Sequence, residues 1–153
     1  MIPIDEQAEK QLRVLKIITW AMLVVAPIGY LVVALVIDSK GIGARAGNDI
    51  LLYVILSMAV VNPFFVPLIV RAETNKYARG MSQAKSPVGL YFLLSIIALA
   101  MVEAGYVYGL IAFIVTGKFV NMLYFYPIGI AWSFVYWPRR EKYDRLVEKL
   151  NQP

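Results

Sequence analysis

The sequence contains neither cysteine nor histidine. The absence of cysteine excludes disulfide bonds, thiol catalysis and cysteine-based zinc sites. The absence of histidine excludes histidine-ligated haem and histidine proton relays. Any chemistry must therefore come from carboxylates, amides, hydroxyls and the backbone. Because the sequence has no nucleophile–base pair, metal-ligand cluster or cofactor motif, we expect neither an enzyme nor a bound cofactor.

Charged residues are also scarce. They make up 16% of the 153 residues, whereas hydrophobic residues make up 60%. In soluble domains about 25% of the residues are charged and about 45–50% are apolar. The hydrophobic residues occur in long blocks that a soluble fold of this size is too small to bury, so we expect the chain to lie in a lipid bilayer. The net charge of +5 does not indicate nucleic-acid binding, because the basic residues cluster at the ends of the apolar blocks.

Four apolar segments are long enough to cross a membrane, since a spanning helix needs roughly 20 residues. They cover residues 17–37, 50–70, 88–116 and 119–137. Their continuous apolar character excludes a β-barrel, whose strands alternate. The sequence therefore predicts an all-α fold, a single four-helix transmembrane domain. Three spans contain proline; the third has none, is the longest, and is expected to form the rigid axis.

The basic residues are distributed unevenly between the two ends of these spans. Three lie on one side, namely Lys40, Arg45 and Lys118. Twelve lie on the other side: Lys10, Arg13, Lys16, Arg71, Lys76, Arg79, Lys85, Arg139, Arg140, Lys142, Arg145 and Lys149. By the positive-inside rule, both termini are predicted to be cytoplasmic. We expect the inner or plasma membrane of a bacterium or archaeon.

The C-terminal tail, residues 139–150, has the pattern of an amphipathic helix. Its apolar residues, Tyr143, Leu146, Val147 and Leu150, recur at the spacing of one helical face. Two interpretations stay open. The helix either rests on anionic lipid headgroups or forms a docking surface for a cytoplasmic partner.

Glu103 is the one charged residue within the four predicted spans. Placing a charge at that depth costs at least about 2.5–3.5 kcal/mol, so an intramembrane carboxyl group is a candidate functional site. Lipid favours the uncharged acid, and a carboxyl group that gains and loses a proton there can carry one. We expect Asn62 and Tyr106 to be its hydrogen-bond partners in an ion-binding site. The alternative is a protonated glutamate that only links helices.

Small residues form a stripe on the third span, roughly opposite Glu103. Gly105 and Gly109 form a GxxxG pair, and Ala112 continues the same face. Such pairs let helices approach closely. We therefore expect one face of this helix to pack on a neighbour while the other presents the carboxyl group.

The third span also resembles a known helix. Residues 98–112, with the sequence ALAMVEAGYVYGLIA, are similar to the ion-binding helix of the rotor-ring proteolipids (subunit c) of F-type and V-type ATP synthases. In that family an alanine-rich run leads to a carboxylate and then to a Tyr-Gly-Leu element, represented here by Tyr108, Gly109 and Leu110. The resemblance covers about a tenth of the chain. It implies that Glu103 is the carboxylate that binds a proton or sodium ion.

Two functions are consistent with these features. The first is an integral membrane subunit that binds or translocates a proton or sodium ion at Glu103. The second is a non-catalytic scaffold or anchor subunit of a larger membrane complex. Under either hypothesis the partners are the lipid bilayer and further copies of the chain or other membrane subunits.

Overall fold

A computed structural model of the chain describes residues 6–41 and 49–151. Within these ranges the secondary structure is helical, which confirms the predicted all-α fold. Four helices are long and apolar enough to cross a membrane, as predicted. They are Glu9–Ser39, Ile50–Ala78, Pro87–Thr116 and Phe119–Tyr136.

The helices that contain these spans divide into shorter elements, and the first two helices begin before their candidate spans. The first consists of α1 (Glu6–Trp20), a π-helical segment (Ala21–Val25) and α2 (Ala26–Ser39). The second consists of α3 (Asp49–Val61), a 3-10 segment (Asn62–Phe65) and α4 (Val66–Ala78). The third is the single helix α5 (Pro87–Thr116). The fourth consists of α6 (Phe119–Leu123) and α7 (Phe125–Tyr136), and the tail forms α8 (Arg140–Asn151).

Two of these helices extend well beyond the predicted apolar segments. The first begins at Glu6 and the second continues to Ala78, so both carry charged turns outside the apolar region. Ion pairs one turn apart link Lys10 with Glu6 and Lys76 with Glu73. Pairs at this spacing favour helix in water, which explains why the helices do not stop where their apolar residues stop.

Each proline-containing span departs from α-helical geometry beside a proline, because proline has no backbone N–H to donate. The π-helical segment ends two residues before Pro27, and the 3-10 segment contains Pro63. In the fourth span, Tyr124 separates α6 from α7 three residues before Pro127. The third span has no internal proline and is unbroken.

Local signals define both ends of α5. At its start, Ser86 Oγ accepts a hydrogen bond from the backbone N–H of Gly89 at 3.1 Å, and Pro87 occupies the first turn. At its end, Gly117 has a left-handed φ of 66° and donates its N–H to the Phe113 carbonyl at 2.8 Å. Glycine adopts this conformation without steric cost. The short turn makes α5 and the fourth span an antiparallel hairpin.

The other helices pack around α5. It contacts α1, α2, α3, α4, α6, α7 and α8. Half of the most apolar 18-residue window of α5 is buried, against 17–22% in the other three spans. The outer faces of those three spans stay exposed.

The tail helix α8 packs on the bundle of its own chain. The ring of Tyr143 meets the ring of Tyr91 on α5, with 5.6 Å between their centroids. Val147 is buried, and Leu146 packs against the core cluster that contains Tyr91. The two interpretations of the tail named lipid headgroups and a cytoplasmic partner as its contacts. The structure shows that the helical bundle of the same chain covers part of this apolar face.

Candidate functional site

Glu103 lies near the middle of the 30-residue helix α5, the part of a spanning helix that is farthest from water. Its side chain is half-buried. The hydroxyl of Tyr30, on α2, donates a hydrogen bond to Glu103 Oε1, with 2.7 Å between the two oxygens. The fold thus joins a phenol and a carboxyl group, 73 residues apart in sequence, near the middle of the third candidate span.

Tyr30 is positioned by its own helix and by the fourth span. It packs against buried clusters that include Leu99 and Phe113 of α5. Less than one turn earlier on α2, the carbonyl of Pro27 accepts a hydrogen bond from the hydroxyl of Tyr126, at 2.7 Å. The helix that carries Tyr30 is therefore tied to α7 beside the point where it is tied to α5.

Asn62 does not bind Glu103, so this predicted partnership is wrong. Asn62 Nδ2 donates to the backbone carbonyl of Met101 at 3.1 Å. The predicted similarity in depth holds, because Met101 lies two residues before Glu103 on α5. The second span, however, packs in the cluster that contains Ala112, whereas Glu103 is bonded to α2. The amide therefore reaches the backbone of α5 and not its carboxyl group.

Tyr106 is not a partner of Glu103 either. Its side chain is 2% exposed, and its ring lies against Gly129 of α7. Its hydroxyl is 3.5 Å from Ser133 Oγ, one turn further along α7, and its ring meets the edge of the Tyr126 ring at 5.3 Å between centroids. The space over Gly129 accommodates this large ring, which directs Tyr106 to α7.

The sequence contained one signal for the true partner. Tyr30 lies away from both ends of the first predicted span, so it does not belong to an interfacial aromatic belt. A buried tyrosine hydroxyl needs a hydrogen-bond partner. Which partner it takes depends on the packing of α2 against α5, and helical periodicity does not provide that information.

The predicted packing residues are all buried, but they differ in what they contact. A Cβ added at Gly109 would lie 3.0 Å from Phe125 Cβ and 3.1 Å from the Met122 carbonyl oxygen. Gly109 thus permits the close approach of the fourth span, and Ala112 is completely buried in a neighbouring cluster. A Cβ added at Gly105 would meet no atom within 4 Å. The GxxxG pair therefore acts through its second glycine.

The expected division of α5 into a packed face and an open face holds only in part. Leu99 and Tyr106 lie one turn before and one turn after Glu103, on the same side of the helix, yet they are 0% and 2% exposed. Because helices surround α5 on several sides, the carboxyl group lies in a seam between helices and not on a bare surface.

Tyrosine hydroxyls link the helices elsewhere in the bundle as well. Tyr136 donates to the Pro63 carbonyl at 2.8 Å. In a regular helix this carbonyl would accept from residue 67, but Pro67 has no N–H. The Pro63 carbonyl also accepts a hydrogen bond from the backbone N–H of Val66. A side chain from the fourth span thus helps to satisfy a carbonyl that a proline leaves without its usual donor.

The pair of Glu103 and Tyr30 consists of one carboxyl group and one hydrogen-bond donor. A metal cation exchanges its hydration shell for several oxygen ligands. Among the described residues, Tyr30 is the one side chain that hydrogen-bonds to Glu103, and no group of three or more acidic residues could hold a metal ion. A protonated carboxyl group needs fewer partners, and the Tyr30 hydroxyl can remain its donor in either protonation state.

No family model matches this sequence, and no curated protein or solved structure is detectably similar to it. The resemblance of residues 98–112 to the proteolipid helix therefore stays a prediction.

Proposed function

We propose that the protein is an integral membrane subunit that binds a proton at Glu103 and passes it within the bilayer. The observation that carries the proposal is the hydrogen bond from Tyr30 to Glu103 Oε1 at the middle of the central helix. Intramembrane carboxyl groups are costly and commonly mark ion and proton paths. The phenol lowers that cost by donating to one carboxyl oxygen, and the half-buried position of Glu103 leaves part of its side chain accessible from outside the chain.

A proton fits this site better than a sodium ion. Sodium would need several oxygen ligands around Glu103, as other cations do. The Asn62 side chain bonds the Met101 carbonyl and not Glu103, so among the described residues Tyr30 supplies the one side-chain oxygen that is bonded to the carboxyl group. We therefore propose that the ion bound at Glu103 is a proton and not sodium.

Proton flux in liposomes tests the proposal. The purified protein is reconstituted with a pH-sensitive dye inside the vesicles, and a potassium diffusion potential drives the flux. We expect Glu103→Gln to abolish the protein-dependent flux, because glutamine keeps an acceptor oxygen for Tyr30 but cannot exchange a proton. Glu73→Gln, which removes an acid outside the apolar segment, is the matched control and should leave the flux unchanged. Equal flux in the Glu103→Gln variant and the wild type would refute the proposal.

Infrared difference spectroscopy tests proton binding without requiring transport. Titration of the wild type should produce a carbonyl stretching band of a protonated carboxyl group that Glu103→Gln lacks and Glu73→Gln retains. Tyr30→Phe should shift the frequency of this band, because it removes the donor to Oε1. A titrating band that persists in Glu103→Gln belongs to another acid and contradicts the assignment.

The alternative is a scaffold or anchor subunit in which Glu103 only holds α2 against α5. It is favoured by the other intramembrane polar groups, since Asn62, Tyr126 and Tyr136 all link helices of this chain. Under this alternative, Glu103→Gln is nearly silent in every assay because the acceptor oxygen remains. The protein should then co-purify with other membrane subunits, and purification as a stable oligomer without partners would argue against this role.

We infer the orientation from charge, with both termini and α8 on the cytoplasmic side of a bacterial or archaeal inner or plasma membrane. The proposed partners are lipid and either further copies of the chain or other membrane subunits. The native mass in mild detergent distinguishes these partners, because a closed homo-oligomer supports the first and a one-to-one complex supports the second. The proposal includes no catalysed reaction.

A further inference from the structure

A cavity of about 980 Å³ opens between α1 and the segment that joins α7 to α8. It lies at the basic end of the bundle and is separate from the Glu103 seam. Arg13 and Lys16 of α1 line one side, and Arg139 and Arg140 line the other. These two pairs are more than 120 residues apart in sequence, so the fold is what brings four cationic side chains to one cavity.

The cavity has an excess of positive charge. Glu9 is the one acidic residue that lines it, and its carboxylate is 4.0 Å from Arg13. Four bases and one acid leave a net charge of +3. Like charges that converge on a concave site favour a bound anion, because the concave surface focuses the potential. Guanidinium groups on both sides also match the geometry of phosphate oxygens.

The apolar part of the cavity wall indicates what kind of anion it holds. Phe134 and Trp137 line the cavity beside the bases, and the Phe134 side chain is 70% exposed. Trp137 also meets the edge of the Trp20 ring, with 6.0 Å between centroids. Tryptophan at the end of a span marks the level of the lipid headgroups. The cavity therefore offers bases at headgroup level beside an uncovered apolar surface.

We propose that this cavity is a binding site for an anionic phospholipid. The phosphate lies between Arg13 and Lys16 on one side and Arg139 and Arg140 on the other. The acyl chains run along the exposed surface at Phe134. A soluble phosphate would use the bases but not this apolar surface. By binding both α1 and the start of α8, the lipid links the first span to the tail.

Native mass spectrometry of the full-length protein in detergent tests the site. The protein is titrated with phosphatidylglycerol, with phosphatidylcholine of the same acyl chains as the neutral reference. We expect phosphatidylglycerol to bind in preference, and Arg13→Gln combined with Arg139→Gln to weaken its binding roughly 20- to 30-fold, since each base near an anionic lipid contributes a roughly fivefold factor. Glu9→Gln removes the one acidic residue of the cavity and should tighten phosphatidylglycerol binding.

The matched control is Arg79→Gln combined with Arg145→Gln, which removes two bases from the same end of the bundle but none from the cavity. It should leave the affinity nearly unchanged. Equal weakening by both double variants would show that the general basic charge, and not the cavity, holds the lipid. Equal affinity for the two lipids, or displacement of phosphatidylglycerol by soluble glycerol phosphate at matched concentration, would also overturn the proposal.

Discussion

The ring of Tyr106 lies so close to Gly129 that a Cβ at position 129 would be 2.5 Å from Tyr106 Cζ. This contact joins α5 to α7 and keeps the tyrosine nearest Glu103 on its own helix away from that carboxyl group. Glu103 is bonded instead to Tyr30, on a different helix. A single glycine thus influences which hydroxyl group binds Glu103.

The first prediction concerns this glycine. Gly129→Ala should destabilise the protein by about 1–3 kcal/mol, because the new methyl group overlaps a rigid ring that is fully packed. Gly29→Ala is the control, since a Cβ there meets no atom within 4 Å and alanine favours helix by about 0.5–1 kcal/mol. The free energy of unfolding in mixed detergent micelles measures both. Equal effects of the two substitutions would show that the ring is free to move away.

The second prediction separates the two glycines of the GxxxG pair. Gly109→Ala should cost about 1–3 kcal/mol of unfolding free energy, because the backbone oxygen of Met122 and the Cβ of Phe125 leave no room for a methyl group. Gly105→Ala should be neutral or stabilising, since its Cβ would be free of contacts. The same unfolding assay compares them. A larger loss at position 105 would contradict the packing of α5 described above.

The third prediction tests the hydrogen bond between Tyr30 and Glu103 as a pair. Tyr30→Phe and Glu103→Leu, alone and combined, form a double-mutant cycle of unfolding free energies. We expect a favourable coupling of about 0.6–1.7 kcal/mol, the range of interhelical hydrogen bonds in membranes. Tyr53→Phe, at a tyrosine that is 66% exposed, paired with the same Glu103→Leu, should show no coupling. Zero coupling for Tyr30 would mean that the two groups do not interact.

The fourth prediction concerns Lys142 of α8, which hydrogen-bonds backbone carbonyls at the C-terminal end of α7. Its Nζ donates to the carbonyl oxygens of Val135 and Trp137 at 2.7 and 3.1 Å. These carbonyls lack helical donors, so Lys142→Met should cost about 0.5–1.5 kcal/mol. Lys149→Met, at an exposed lysine of the same helix, is the control and should change the unfolding free energy little.

Lys142 also predicts a pH dependence. Burial, and then repulsion from Arg139, lowers the pKa of Lys142 below its ordinary value of 10.5. Between the lowered pKa and 10.5 the unfolded chain binds more protons than the folded one, so this residue makes stability rise with pH across that window. Unfolding measured from neutral pH to pH 10.5 should therefore show the stability of the wild type rising relative to Lys142→Met. A constant difference between the two would contradict this linkage.

Much of the fold could be predicted because its signals are local. The apolar blocks predicted four spans, and the prolines distinguished the three spans that lose regular geometry from the third, which does not. The ends of the helices were predicted less well, since ion pairs such as Lys10 with Glu6 continue α1 beyond its apolar residues. The packing of the tail helix on the bundle was not predicted, because the contact between Tyr143 and Tyr91 joins parts of the chain that are far apart in sequence.

The candidate site could be predicted only in its central residue. A charge within an apolar span is visible in any sequence, so Glu103 needed no structure to find. Its expected partners were chosen by depth and by spacing along one helix. Depth placed Asn62 near the correct level, but it does not specify rotation about the helix axis, and Asn62 bonds the Met101 carbonyl instead.

The sequence by itself determined the four spans and the isolation of Glu103 within them, because apolar length and the cost of a charge in lipid depend on each segment alone. Only the tertiary structure decided that Tyr30 meets Glu103, that Tyr106 turns to Gly129 and that four bases surround one cavity. Each of these depends on how helices rotate and pack against one another, and small differences in side-chain volume between distant residues set that packing.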